Sequence, residues 1–84
     1  MVVQAERTPN PNAMKFTVSR DVGEPRTFVA GQEHGDPMAD ELLALNGVTS
    51  IFMVSDFVTI SKTDEAAWSE IEPEAVEVLK RYFN

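Results

Sequence analysis

Two apolar runs, Ser50-Ile51-Phe52-Met53-Val54 and Phe57-Val58-Thr59-Ile60-Ser61, stand on either side of the dipeptide Ser55-Asp56. β-Branched and aromatic residues dominate both runs, which predicts two strands joined by a tight hairpin turn. Ser-Asp matches the favoured Asn-Gly and Asp-Gly turns poorly, so a slightly longer turn or a bulge stays open. In the second run Val58 and Ile60 face one way and Phe57, Thr59 and Ser61 the other. The first run is apolar on both sides, which predicts a central strand or one covered on both faces.

Around this hairpin the other elements follow. Met14, Phe16 and Val18 alternate with Lys15, Thr17 and Ser19, a strand period. Arg20–Pro25 reads as a turn and Arg26–Ala30 as a second strand, so the two form an antiparallel hairpin. Residues 1–12 are expected to be an irregular leader, because Pro9 and Pro11 remove backbone donors and Asn10 and Asn12 favour turns. Asp36-Pro37 is a helix start: the carboxylate caps free N–H groups and the proline sits where its missing donor is harmless. Met38, Leu42 and Leu45 form the apolar stripe, widened by Ala39 and Leu43, and Asn46-Gly47 ends the helix. A last helix is expected to be capped by Thr63 or Asp64. It carries Trp68, Ile71, Ala75, Val78, Leu79 and Tyr82 at helical spacing, with Pro73 starting or kinking it and Glu77 paired to Arg81. The order β-β-α-β-β-α predicts an α+β, two-layer sandwich: a mainly antiparallel four-stranded sheet packed with two helices, one domain over residues 1–84.

Chemistry is sparsely represented. The chain has no cysteine, which removes thiol nucleophiles, disulfides and cysteine-ligated zinc or iron–sulfur centres. His34 is the single histidine; a metal site with Glu33 and Asp36 is conceivable by ligand type, but a solvated loop histidine is the simpler account. The carboxylates Asp40, Glu41, Asp64, Glu65, Glu70, Glu72 and Glu74 fall at helix starts or on polar faces, where they cap and solubilise. No glycine-rich phosphate loop is present, so neither an enzyme nor a bound cofactor is expected. The net charge is −7, and residues 32–61 contain five acids and no Lys or Arg. Phosphate backbones and anionic membranes are therefore poor partners. The excess acid keeps the chain soluble or steers a basic partner towards a negative face. No apolar run is long enough to span a bilayer and the first residues do not form a secretory signal, so the cytoplasm is the expected location.

One polar segment, Thr8-Pro9-Asn10-Pro11-Asn12, is stiffened by its prolines, and either caps the sheet's end or presents a preorganised recognition loop. With Met14-Lys15-Phe16 after it, this stretch resembles the N-terminal domain of the Nfu/NifU-like scaffold proteins of iron–sulfur cluster assembly. The resemblance continues through Gly47-Val48 and Ile51-Phe52, through Asp56-Phe57-Val58-Thr59-Ile60-Ser61-Lys62, and through Trp68, Ile71, Pro73 and Glu74. It implies that the cluster is bound by a second domain with a paired-cysteine motif, and no such motif occurs in these 84 residues. The function so implied is a protein-interaction or adaptor domain, accessory to cluster assembly or transfer, without cluster ligands of its own. Its expected partner is a cysteine-bearing scaffold, carrier or client protein. A regulatory or structural binding module outside iron–sulfur metabolism is the alternative. Candidate contacts are Asn10, Asn12, Lys15 and Asp56. Pro9, Pro11, Phe16, Phe52, Phe57, Trp68 and Leu79 are expected to serve the fold, the aromatic residues and Leu79 as core.

Overall fold

In a computed structural model, residues 3–18, 23, 25–31 and 36–83 are described. The turn expected at 20–25 falls largely outside them, and so do residues 32–35, which include His34. The elements are β1 (Gln4–Arg7), β2 (Ala13–Thr17), β3 (Arg26–Val29), α1 (Pro37–Leu43), β4 (Val48–Val54), β5 (Phe57–Lys62) and α2 (Trp68–Phe83). The α+β class is as expected, but the described residues form a sheet of five strands, in the order β1-β2-β5-β4-β3, all neighbours antiparallel. β2 and β3, expected to form a hairpin, do not pair, because the β4–β5 hairpin stands between them. The fifth strand is β1, inside the stretch expected to be an irregular leader. Gln4–Arg7 pairs along β2 from Gln4 opposite Thr17 to Arg7 opposite Met14. Four residues with one small apolar member carry too weak an alternation to read locally; the free edge of β2 supplies the pairing.

Register sorts the strand residues onto two faces. Met14, Ile60, Ile51 and Phe28 stand in one cross-strand row, and Phe16, Val58 and Met53 in the next. All seven are buried, in one cluster with Met38, Ala39 and Leu42 of α1 and Trp68, Ile71, Ala75, Val78 and Leu79 of α2. Both helices therefore cover the same face. The step from Val48–Lys62 to Ser50–Ser61 places an extra residue, Thr49, in β4. This bulge lets Val48 and Ile51 both point into the core although they are three positions apart.

The hairpin turn is the tight Ser55-Asp56 pair, with Ser55 in the left-handed region at φ 55°. α1 begins as its residues dictate: Asp36 accepts hydrogen bonds from the N–H groups of Met38 and Ala39 at 3.0 and 3.2 Å, and Pro37 follows. Gly47, at φ 95°, turns the chain into β4 under Ala66. α2 starts at Trp68 rather than at a Thr63 or Asp64 cap, because both residues are engaged in the turn before it. The Thr63 carbonyl accepts from the Ala66 N–H at 3.3 Å, and the Asp64 carboxylate accepts from Asn12. Pro73 lies within α2.

Candidate functional site

The β1–β2 loop is bound to the molecule at several points. Asn12 N–H donates to Asn10 Oδ1 at 2.9 Å, and Asn10 N–H donates to Thr8 Oγ1 at 3.2 Å. These local bonds turn the chain as asparagine and threonine side chains do in Asx and ST turns. Farther afield, the Asn12 amide donates to the Asp64 carboxylate and accepts from Lys62 Nζ at 2.9 Å. Trp68 Nε1 donates to the Pro11 carbonyl at 3.0 Å. The same indole ring packs 6.4 Å from Phe16 at a 56° tilt, and the Lys62 ammonium lies 5.8 Å from its centre. The stretches Thr8–Asn12, Lys62–Asp64 and Trp68, far apart in sequence, thus form one assembly at an end of the sheet. Both asparagine side chains are occupied within it.

Lys15 and Asp56 sit elsewhere. Lys15 is on the sheet face opposite the helices, with its ammonium 4.6 Å from the centre of the Phe57 ring, a cation–π contact. Asp56 is exposed in the β4–β5 turn that borders this face, and its carbonyl accepts from the Val18 N–H at 2.8 Å. Register fills in the rest. One row runs Glu6, Lys15, Thr59, Phe52, Thr27; the next runs Gln4, Thr17, Phe57, Val54. Among the described residues no helix packs on these rows, since every buried strand side chain belongs to the other face.

Two expectations are corrected here. Phe52 is 39% exposed rather than core, and Phe57 is half-buried on the open face. Phe57 alternates with Val58 and Ile60 along β5, and Phe52 pairs with Thr59, so both stand on the face opposite to Val58 and Ile60. β4 is not covered on both sides because both helices take one side. Phe16, Trp68 and Leu79 are buried as expected. Sequence reading also missed Val29, which is 45% exposed on β3. Its signal was its alternation with Phe28, which shows once β3 is paired to β4.

A second polar cluster ties the helices together. Arg81 Nη2 donates to Glu41 Oε1 at 3.0 Å, and the Tyr82 hydroxyl donates to Glu41 Oε2. The ion pair expected between Arg81 and Glu77 gives way to this one, because α1 brings a carboxylate to the end of α2. Tyr82, expected on the apolar stripe, is 40% exposed. The Tyr82 hydrogen bond, and Arg81 beside it, hold the Glu41 carboxyl below its usual range; the same bond holds the Tyr82 hydroxyl above its own.

Comparison with known proteins gives this architecture its relatives. The profile of the family described as "Scaffold protein Nfu/NifU N terminal" matches residues 3–84. The chain belongs to the Nfu/NifU N-terminal family. It is 39% identical over 87 aligned positions to the NFU1 iron–sulfur cluster scaffold homolog, mitochondrial, of Drosophila ananassae, and 40% identical to that of Drosophila erecta. Each alignment takes in 99% of this chain and 30% or 31% of the relative, so the chain spans about a third of the length of these curated relatives. Among solved structures, protein SAV1430 of Staphylococcus aureus superposes with a TM-score of 0.82 at 31% identity, over 93% of this chain and 98% of that one. A NifU-like protein of Saccharomyces cerevisiae shares the Nfu/NifU N-terminal fold at a TM-score of 0.79 and 24% identity, over 95% of this chain and 76% of that one.

The expected cytoplasmic location does not stand, because the NFU1 relatives are named as mitochondrial proteins. That expectation rested on absent signals, and a folded domain keeps the same packing in either compartment. The residues present do not fit a cysteine-ligated cluster. The chain has no cysteine, and among the described residues no three His, Asp or Glu side chains are grouped to hold a metal ion.

Proposed function

We propose that this Nfu/NifU N-terminal domain is a protein-binding module accessory to iron–sulfur cluster assembly, and that it presents the open face of its sheet to a cysteine-bearing partner. The observation that carries this reading is the one-sided packing of the sheet. Both helices lie on one face, while the other exposes Phe52 and Val29 beside the half-buried Val54 and Phe57. Aromatic and β-branched side chains on a rigid sheet, flanked by Lys15 and Glu6, have the make-up of a small interface core with a polar rim. A rigid face binds with little ordering cost. In this reading Lys15 and Asp56 touch the partner directly. Asn10 and Asn12 contribute by holding the loop at the far end of β2, so their replacement weakens binding through loop shape. The relatives' names supply the pathway, and in this reading the cluster's thiolate ligands belong to the partner, since these 84 residues hold no cysteine.

Affinity capture from the native host, at low and physiological salt, tests this. The unaltered domain is expected to enrich a cysteine-bearing scaffold, carrier or client. Phe52→Glu is expected to lose that protein while unfolding at the same temperature. Failure to recover any such protein, or equal capture by Phe52→Glu, would refute the proposal.

A further inference from the structure

The helical layer carries a feature that the sheet face does not use. Between α1 and α2 lies a groove of about 390 Å³, and a second hollow of about 410 Å³ adjoins it, with Glu74 lining both. Its apolar lining is Leu45, Ile71, Pro73 and Val78. Glu70, Glu74 and Glu77 line it from α2 at i, i+4 and i+7, one side of the helix over about 10 Å. Arg81 is the cation of this lining, and its guanidinium is already engaged by Glu41 at 3.0 Å. α1 adds no base, because residues 32–61 contain neither Lys nor Arg.

We infer that this groove docks a basic amphipathic helix of a protein partner. Apolar side chains of that helix rest on Leu45 and Val78, and its lysines or arginines, repeated at i, i+4 and i+7, meet Glu70, Glu74 and Glu77. Charge selects this occupant over the others. A second copy brings another chain of net charge −7, and nucleic acids or anionic lipid surfaces bring phosphates; all are repelled. An apolar floor beside a carboxylate ladder calls for a ligand amphipathic with the same spacing, which a merely cationic coil does not offer. The groove lies on the layer opposite the open sheet face, so its occupancy does not depend on that face.

The test is titration of the isotope-labelled domain with a synthetic helix of about 18 residues, long enough to span the groove, with leucines on one side and lysines at i, i+4 and i+7. Amide shifts are expected to be confined to Leu45, Glu70, Ile71, Glu74, Glu77, Val78 and their neighbours. A peptide of the same composition in scrambled order should bind at least about tenfold more weakly, and the double variant Glu74→Lys, Glu77→Lys should lose about tenfold in affinity. Both glutamates are exposed, so this variant keeps its unfolding temperature, and Phe52→Glu leaves peptide binding unchanged. Shifts scattered over the acidic surface, equal affinity for the scrambled peptide, or unchanged binding by the double variant would each overturn the inference.

Discussion

Trp68 joins two requirements in one side chain: its ring fills the core against Phe16, and its indole nitrogen holds the Pro11 carbonyl. Phenylalanine in its place keeps most of the ring contact and removes the donor. Trp68→Phe should therefore cost about 1–2 kcal/mol, read as a lower denaturant midpoint at unchanged slope. An unaltered midpoint would mean that the loop is held by its own turns and by Asn12, with nothing added by the indole. Gly47 is constrained differently, since its φ of 95° disfavours any side chain and an added Cβ would run into Ala66. Gly47→Ala is expected to destabilise the domain by about 2 kcal/mol or more, measured in the same way. Each belongs to a stretch that carries the family resemblance, and in both the structural reason is a close approach between distant segments.

At the scale of elements, the polar tie between α1 and α2 depends on the charge state of Glu41, while their buried contact does not. Its pKa is depressed in the fold by the Tyr82 hydroxyl and Arg81, so the stabilisation is present above the ordinary carboxylate pKa and is lost as pH falls through the lower, folded value. Tyr82 has the opposite sense. Its hydroxyl is held protonated by Glu41, so that contribution is present below the ordinary tyrosine pKa and disappears as pH rises through the raised one. This polar tie should hold between these limits and weaken beyond either. Thermal unfolding followed against pH checks this: Glu41→Gln should flatten the acid limb relative to the unaltered domain, and Tyr82→Phe the alkaline one. The same scale shows why the expected Glu77–Arg81 pair yields. An i,i+4 pair on an exposed helix is worth a few tenths of a kcal/mol, so a carboxylate from a neighbouring helix with good geometry displaces it.

For the whole molecule, the decisive property is that one sheet face is covered and the other is open. Ile60 and Phe52 come from neighbouring strands of the same hairpin, yet one is fully buried and the other 39% exposed. Ile60→Ala should cost about 2–5 kcal/mol, whereas Phe52→Glu should stay within about 0.5 kcal/mol of the unaltered domain. Equilibrium denaturation of the two variants side by side checks the assignment of faces. A large loss for Phe52→Glu would place Phe52 in the core and remove the surface on which the proposed partner contact rests.

The sequence by itself determined most of what is local. Period-two alternation marked β2 and β5, and Asp36-Pro37 marked the start of α1; the helix ends at Leu43, earlier than the expected Asn46-Gly47, and Gly47 makes the turn into β4 instead. The absence of cysteine ruled out a thiolate-held cluster, and Thr8–Asn12, Asp56–Lys62 and Trp68 carried the family resemblance. What only the tertiary structure decided is non-local. The strand at Gln4–Arg7 exists because β2 offers it an edge, Arg81 turns to Glu41 because α1 lies beside it, and α2 begins late because Asn12 reaches Asp64. Phe52 and Phe57 look like core residues in any window of the sequence, since an aromatic side chain in a strand is apolar whichever face it is on. Their exposure follows from both helices packing on one side, and that choice is made by the register of all five strands together. The same choice leaves an apolar sheet face on one layer and an acid-lined groove on the other.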